Sequence, residues 1–142
     1  MADAMLRSGC VVGLTRVTVS LRVPGASGDA YEALFLVDSG ATDSMAPGSE
    51  LARVGIKPVG KLPYELADGR LVEYEFGLAQ IEFMGDITAG RVIFGPDDVS
   101  PLLGVTALES VGIVIDPRTR TLRRLPAIPL KPAVTLLPAH GV

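Results

Sequence analysis

Two side chains that carry much of protein chemistry are nearly missing from this chain. Its 142 residues contain one cysteine, Cys10, one histidine, His140, and no tryptophan. A single cysteine excludes a disulfide within the chain, and with it a secreted disulfide scaffold; a reducing cytoplasm is the expected compartment. A Cys/His zinc site needs about four ligands, which these two residues cannot supply, so neither metal nor cofactor is expected. A Ser-His-Asp or Cys-His mechanism would have to draw its histidine from the chain end. Long hydrophobic runs are missing too, since no stretch reaches the roughly 18 apolar residues of a membrane helix. The opening MADAMLRSGCVVGLTRVTVSL is briefly apolar but carries Asp3, Arg7 and Arg16, and reads as an intact cytoplasmic chain rather than a secretory leader. A dominant charge is also lacking. The 13 basic and 16 acidic residues are spread along the sequence with a net charge of -3, so no nucleic acid and no membrane partner is expected.

What is present is apolar and heavily punctuated. The length suits one domain, and 48% of the residues are hydrophobic against 20% charged. Either the core is unusually apolar or some apolar surface is buried against another chain. The 16 glycines and 11 prolines separate short segments in which β-branched and polar residues alternate, the pattern of an antiparallel β protein. Val17, Val19, Leu21 and Val23 form one such run, closed by Pro24-Gly25. Residues 31–37 form a second, which ends apolar on both faces. Residues 62–66 and 71–76 flank Ala67-Asp68-Gly69-Arg70, and Asp-Gly is a strong hairpin signal. Past that turn Val72, Tyr74 and Phe76 share one phase while Ala79, Ile81 and Phe83 take the other, which predicts a bulge or sharp bend near Gly77. Met84-Gly85-Asp86 reads as a turn and Arg91 to Phe94 as a short strand. Residues 105–111 read as a helix capped by Thr106, with Glu109 three residues on and Gly112 as its terminator. Strands at 112–116 and 120–125 follow. Residues 1–126 thus form the domain, and 127–142, with prolines at 129, 132 and 138, an extended tail.

One segment does not fit a purely structural reading. LFLVDSGATD, residues 34–43, drives an apolar strand into an acid followed at once by Ser-Gly-Ala. A carboxylate at the end of a buried strand loses hydration, which raises its pKa. A glycine two residues later lets the backbone turn tightly and bring amide N–H groups to the carboxylate, which favours the charged form. Such an acid is suited to activating water. Amide hydrolysis by this route uses a pair, one ionised and one protonated, sharing a proton. The chain holds only one apolar-apolar-Asp-Ser-Gly. Asp68-Gly69 lacks the intervening hydroxyl residue, and Asp116 precedes Pro117. A pair therefore requires a second identical chain, with the site on a two-fold axis.

FLVDSGAT, a hairpin at Asp68-Gly69, and SPLLGVTALESVGIVID, taken in that order over about residues 11–125, resemble the retropepsin-like single-domain aspartic proteases, in particular the bacterial type. The resemblance implies an all-β fold, a closed barrel-like domain with a flap hairpin and one short C-terminal helix, active as a homodimer. It implies an aspartic endopeptidase that takes a peptide or protein in extended conformation. Asp38 would be the catalytic acid and base, Ser39 would brace the paired loops, and Gly40 N–H would support the carboxylate. Ala41, the flap residues Ala67, Asp68, Gly69, Arg70 and Val72, and Leu103 would contact substrate. The chain departs from the viral pattern at the flap tip, ADGR rather than glycine-rich and apolar, at the extra acid Asp43, and in the tail. The alternative reading is a dimeric peptide-binding or scaffold module of the same fold with little turnover.

Overall fold

The computed structural model describes residues 15–116 and 118–130. The opening residues with Cys10, Pro117 in the predicted final turn, and the tail from 131 on with His140 lie outside the described residues. Among the described residues nine strands and two short helices follow one another: β1 (Thr15–Arg22), β2 (Tyr31–Asp38), β3 (Ser44–Pro47), α1 (Gly48–Arg53), β4 (Gly60–Glu65), β5 (Leu71–Phe83), β6 (Asp86–Gly95), β7 (Leu102–Gly104), α2 (Val105–Ser110), β8 (Ile113–Asp116) and β9 (Thr121–Arg124).

Seven strands form one sheet in the order β1-β2-β7-β3-β6-β5-β4, and β1 also pairs with β5. That last pairing, with Val19 opposite Phe83 and Leu21 opposite Ile81, closes six strands into a ring and removes their free edges. Among the described residues β4 stays outside the ring with β5 as its only neighbour, and β8–β9 form a separate two-stranded sheet. Alternation explains the ring. Val17, Val19 and Leu21 of β1, Phe35 and Val37 of β2, and Ala79, Ile81 and Phe83 of β5 all point inward and are buried. Leu51 from α1, Leu108 from α2 and Ile113 from β8 complete the same core. Full burial of each large apolar side chain contributes roughly 1.5–3 kcal/mol.

The expected all-β character holds, and four details differ. The sheet is mixed: β2 runs parallel to β7 and β3 parallel to β6. β6 is a full partner of β5 from Asp86 to Gly95, longer than the predicted 91–94. No bulge interrupts β5 at Gly77. Its ladder with β4 ends at Phe76, its ladder with β6 begins at the same residue, and both keep a one-to-one register. The hydrophobic phase changes because the strand leaves the hairpin and enters the ring, where the opposite face is buried. Gly77 is there for space: a Cβ would stand 2.7 Å from Lys57 O and 2.9 Å from Ile56 Cγ2. Finally, Thr106 does not cap α2. Gly104 occupies the N-cap position and makes no side-chain cap bond to the first turn.

Candidate functional site

Asp38 is the last residue of β2, carried to the rim of the ring by the buried Phe35 and Val37. Parallel β7 lies beside it, with Val37 opposite Leu103 and Asp38 opposite Gly104. The chain then turns sharply. Ala41 N–H donates to Asp38 O at 3.1 Å, and Gly40 N–H donates to Asp38 Oδ1 at 2.9 Å. The support expected from Gly40 is therefore a formed hydrogen bond.

The loop is tied down along its length. Val105 N–H donates to Ala41 O at 2.8 Å and Thr106 N–H to Thr42 O at 3.2 Å. Gly104 N–H donates to the buried Ser44 Oγ at 3.0 Å. These bonds satisfy N–H groups that a helix start leaves without intrahelical partners, which is why α2 needs no side-chain cap. Close approach is the condition for them. A Cβ at Gly104 would lie 2.6–2.7 Å from backbone atoms of Thr42 and Asp43.

Asp38, Gly40, Ala41, Thr42 and Asp43 form one side of an open cleft of about 720 Å³; hairpin residues 63–67 and Tyr74 form another, with Met45, Ile93 and Leu102 completing it. A cleft of this size and apolar lining, with an acid on one wall, suits an organic ligand.

Asp43 is the second acid of the cleft and is 8% exposed. Its Oδ2 accepts from the Tyr64 hydroxyl at 2.8 Å and faces Arg91 Nε at 3.0 Å. The Arg91 guanidinium also lies 5.5 Å from the centroid of the Phe76 ring, within cation–π range. Burial first, then the hydrogen bond to Asp43, push the Tyr64 phenol up to about 12.

The residues singled out from sequence do not all meet at one place. Asp38, Gly40, Ala41 and Ala67 come together in the cleft. Ser39 is exposed and borders a separate, mostly apolar hollow of about 260 Å³ with Val105, Leu108, Ile113 and Ile115. Asp68, Gly69 and Arg70 form the exposed hairpin tip, where Gly69 has φ +89° and Asp68 accepts from Arg70 N–H at 3.0 Å and Nε at 2.8 Å. Those bonds, the backbone one foremost, lower the Asp68 pKa. Val72 sits half-buried opposite Tyr64 and borders no part of the cleft. Leu103, expected at a substrate pocket, has no exposed surface and belongs to the core. The pleat turns its neighbour Leu102 to the cleft instead. Sequence reasoning noted Asp43 but missed its partners Tyr64 and Arg91, which lie 21 and 48 positions on. Only the inward phase of Tyr64 with Leu62 on the hairpin hinted at its direction. Among the described residues no group of three or more His, Cys, Asp or Glu side chains is placed to hold a metal ion.

No protein-family model matches the chain, and no curated protein matches it. Solved structures do. An EIAV protease in complex with an inhibitor aligns at 20% identity and TM-score 0.49, over 68% of this chain and 86% of that one. A retropepsin-like aspartic protease from Rickettsia conorii aligns at 19% identity and TM-score 0.44, over 72% and 76%. A retroviral protease-like domain from Leishmania major aligns at 19% and 0.45, over 82% and 94%. The fold is retropepsin-like in its own architecture. A closed ring ends one strand in Asp-Ser-Gly-Ala, sets an apolar-apolar-Gly strand parallel to it, continues into a short helix, and faces a hairpin across the cleft.

Proposed function

We propose that this chain is an aspartic endopeptidase whose acid pair is Asp38 and the Asp38 of a second copy. One carboxylate, ionised, takes a proton from water as the oxygen attacks the peptide carbonyl carbon. The other, protonated, donates its proton to the carbonyl oxygen. The tetrahedral intermediate then collapses: the C–N bond breaks, the amine leaves with the proton that was taken from water, and an intermediate hydroxyl returns its proton to the other carboxylate, which restores the shared-proton pair. The observation that carries the reading is Asp38 on the wall of a hairpin-faced cleft with Gly40 N–H bonded to its Oδ1. That bond fixes the carboxylate's direction.

The need for two copies follows from the count of one such loop per chain. Ser39 and the mostly apolar hollow beside it suit contact with that second copy. A substrate strand would lie between loop and hairpin, held by main-chain hydrogen bonds. A protein or peptide in extended form is thus the expected substrate.

The test is incubation of the purified chain and its Asp38→Asn form with a diverse peptide mixture from mildly acidic to neutral pH, with products read by mass spectrometry. Internal cuts made only by the Asp38 form, lost on dilution below the dimer dissociation constant, are expected. Silence from both forms, or equal cutting by both, would overturn the reading.

A further inference from the structure

The hairpin facing the cleft is attached to the body unusually sparsely. β4 pairs with nothing but β5, and β5 joins β6 only from Phe76 onward. Residues 61–75 therefore form a two-stranded ribbon without a backbone ladder to the rest of the molecule. Such a ribbon is marginal by itself in water. The Asp68–Arg70 pair at its tip is internal to it. Among the described residues, one side-chain hydrogen bond joins this ribbon to the body: Tyr64 hydroxyl to Asp43 Oδ2, 2.8 Å.

The acceptor of that bond is held rigidly. Asp43 belongs to the loop that follows Asp38, its side chain is only 6% exposed, and Arg91 of β6 pairs with the same oxygen at 3.0 Å. Arg91 in turn covers the Phe76 ring at the root of the ribbon. Gly60, at the opposite root, leaves no room beside that ring, since a Cβ there would stand 2.7 Å from Phe76 Cζ. The root is thus packed and the middle is pinned at a single point.

We infer that Asp43, Tyr64 and Arg91 form a latch that sets the height of the hairpin over the cleft. Arg91 orients the Asp43 carboxylate, and the Tyr64 hydroxyl fastens the ribbon to it. These are positioning residues. The cleft opens for a ligand when the Tyr64–Asp43 bond breaks, and the ribbon returns when it re-forms. The latch rests on the reading of the cleft as a substrate site for its purpose, but not for its existence.

Hydrogen exchange on the full chain without substrate tests it. A hydrogen bond to an ion-paired carboxylate is worth about 1.5 kcal/mol net or more, so Tyr64→Phe should speed exchange of the ribbon amides, residues 61–75, by about tenfold. Amides of β1, β2 and β6 should keep their wild-type rates. Asp43→Asn keeps an oxygen acceptor for Tyr64 but loses the ion pair with Arg91. It should give an increase in the same segment, smaller than that of Tyr64→Phe. Unchanged ribbon exchange in Tyr64→Phe, or an increase spread evenly over the ring, would overturn the latch. Since no turnover is needed, a chain that cuts no peptide would sink the peptidase reading alone and leave the latch to be decided by exchange. If peptides are cut, Tyr64→Phe should change KM more than kcat, whereas general destabilisation would lower the active fraction and leave KM unmoved.

Discussion

The two walls of the cleft are built by opposite means. The wall that carries Asp38 is backbone against backbone. Gly104 lies within Cβ-excluding distance of Thr42 and Asp43, and the loop carbonyls of Ala41 and Thr42 take N–H groups from α2. The hairpin wall is a two-stranded ribbon joined to the body by one phenol. A wall made of short backbone contacts has no soft coordinate and holds a carboxylate in place. A wall made of side chains on a ribbon can move by breaking one bond of modest strength. Precise positioning of the acid and access to it are thereby assigned to different parts of the molecule.

If that contrast is right, damage to the first wall should be global and damage to the second local. Gly104→Ala should be the most severe change. The added Cβ meets backbone, which cannot step aside as a flexible side chain can. The cost should be about 3 kcal/mol in chemical denaturation, with loss of any activity. Ser44→Ala should follow. It leaves the buried Gly104 N–H without its acceptor, at about 2 kcal/mol in the same assay. If either variant melted like the parent, the wall would be softer than its contacts imply.

On the hairpin side, Tyr64→Phe should lower global stability by about 1.5 kcal/mol, with a characteristic pH dependence. The folded-state pKa of Tyr64 is raised from 10.0 to about 12, so the folded chain holds the phenolic proton more tightly than the unfolded chain does. Its contribution is complete below about pH 10 and is lost as pH rises through about 12. The stability gap between parent and Tyr64→Phe should therefore close over that alkaline window, as thermal melts at stepped pH would show. A gap independent of pH would mean that the Tyr64 phenol titrates alike in the folded and unfolded chain, against the shift that its burial and its bond to Asp43 imply. The smallest effect is expected at the hairpin tip. Arg70 is 70% exposed, and exposed ion pairs contribute little. Arg70→Ala should leave the unfolding midpoint unchanged, and a clear shift would show that the tip is held by more than solvent-screened charge.

Much of this was legible from residue order because its physics is local. Alternation of apolar residues located β1, β2 and both hairpin strands. Asp68-Gly69 located the turn with positive φ at Gly69. Apolar-apolar-Asp-Ser-Gly identified the acid and the glycine whose N–H reaches it. Where reading went astray, a distant segment had intervened. The change of phase at Gly77 suggested a bulge because period alone cannot reveal that one strand serves two neighbours. Thr106 looked like a cap because the loop carbonyls that replace it lie more than sixty positions earlier in the chain. Leu102 and Leu103 are equivalent by residue type, and only the pleat of a three-residue strand puts Leu102 at the cleft and Leu103 in the core.

The sequence by itself determined most of the elements, the acid at the end of β2 and the presence of a single apolar-apolar-Asp-Ser-Gly loop in the chain, since composition, period and the count of a motif are properties of order alone. Only the tertiary structure decided that Asp43 meets Tyr64 and Arg91, that Gly104 must lack a side chain, and that one hairpin stands outside a closed ring. Those facts depend on which distant segments ring closure brings within a few ångströms of one another, and no local preference along the chain encodes that distance.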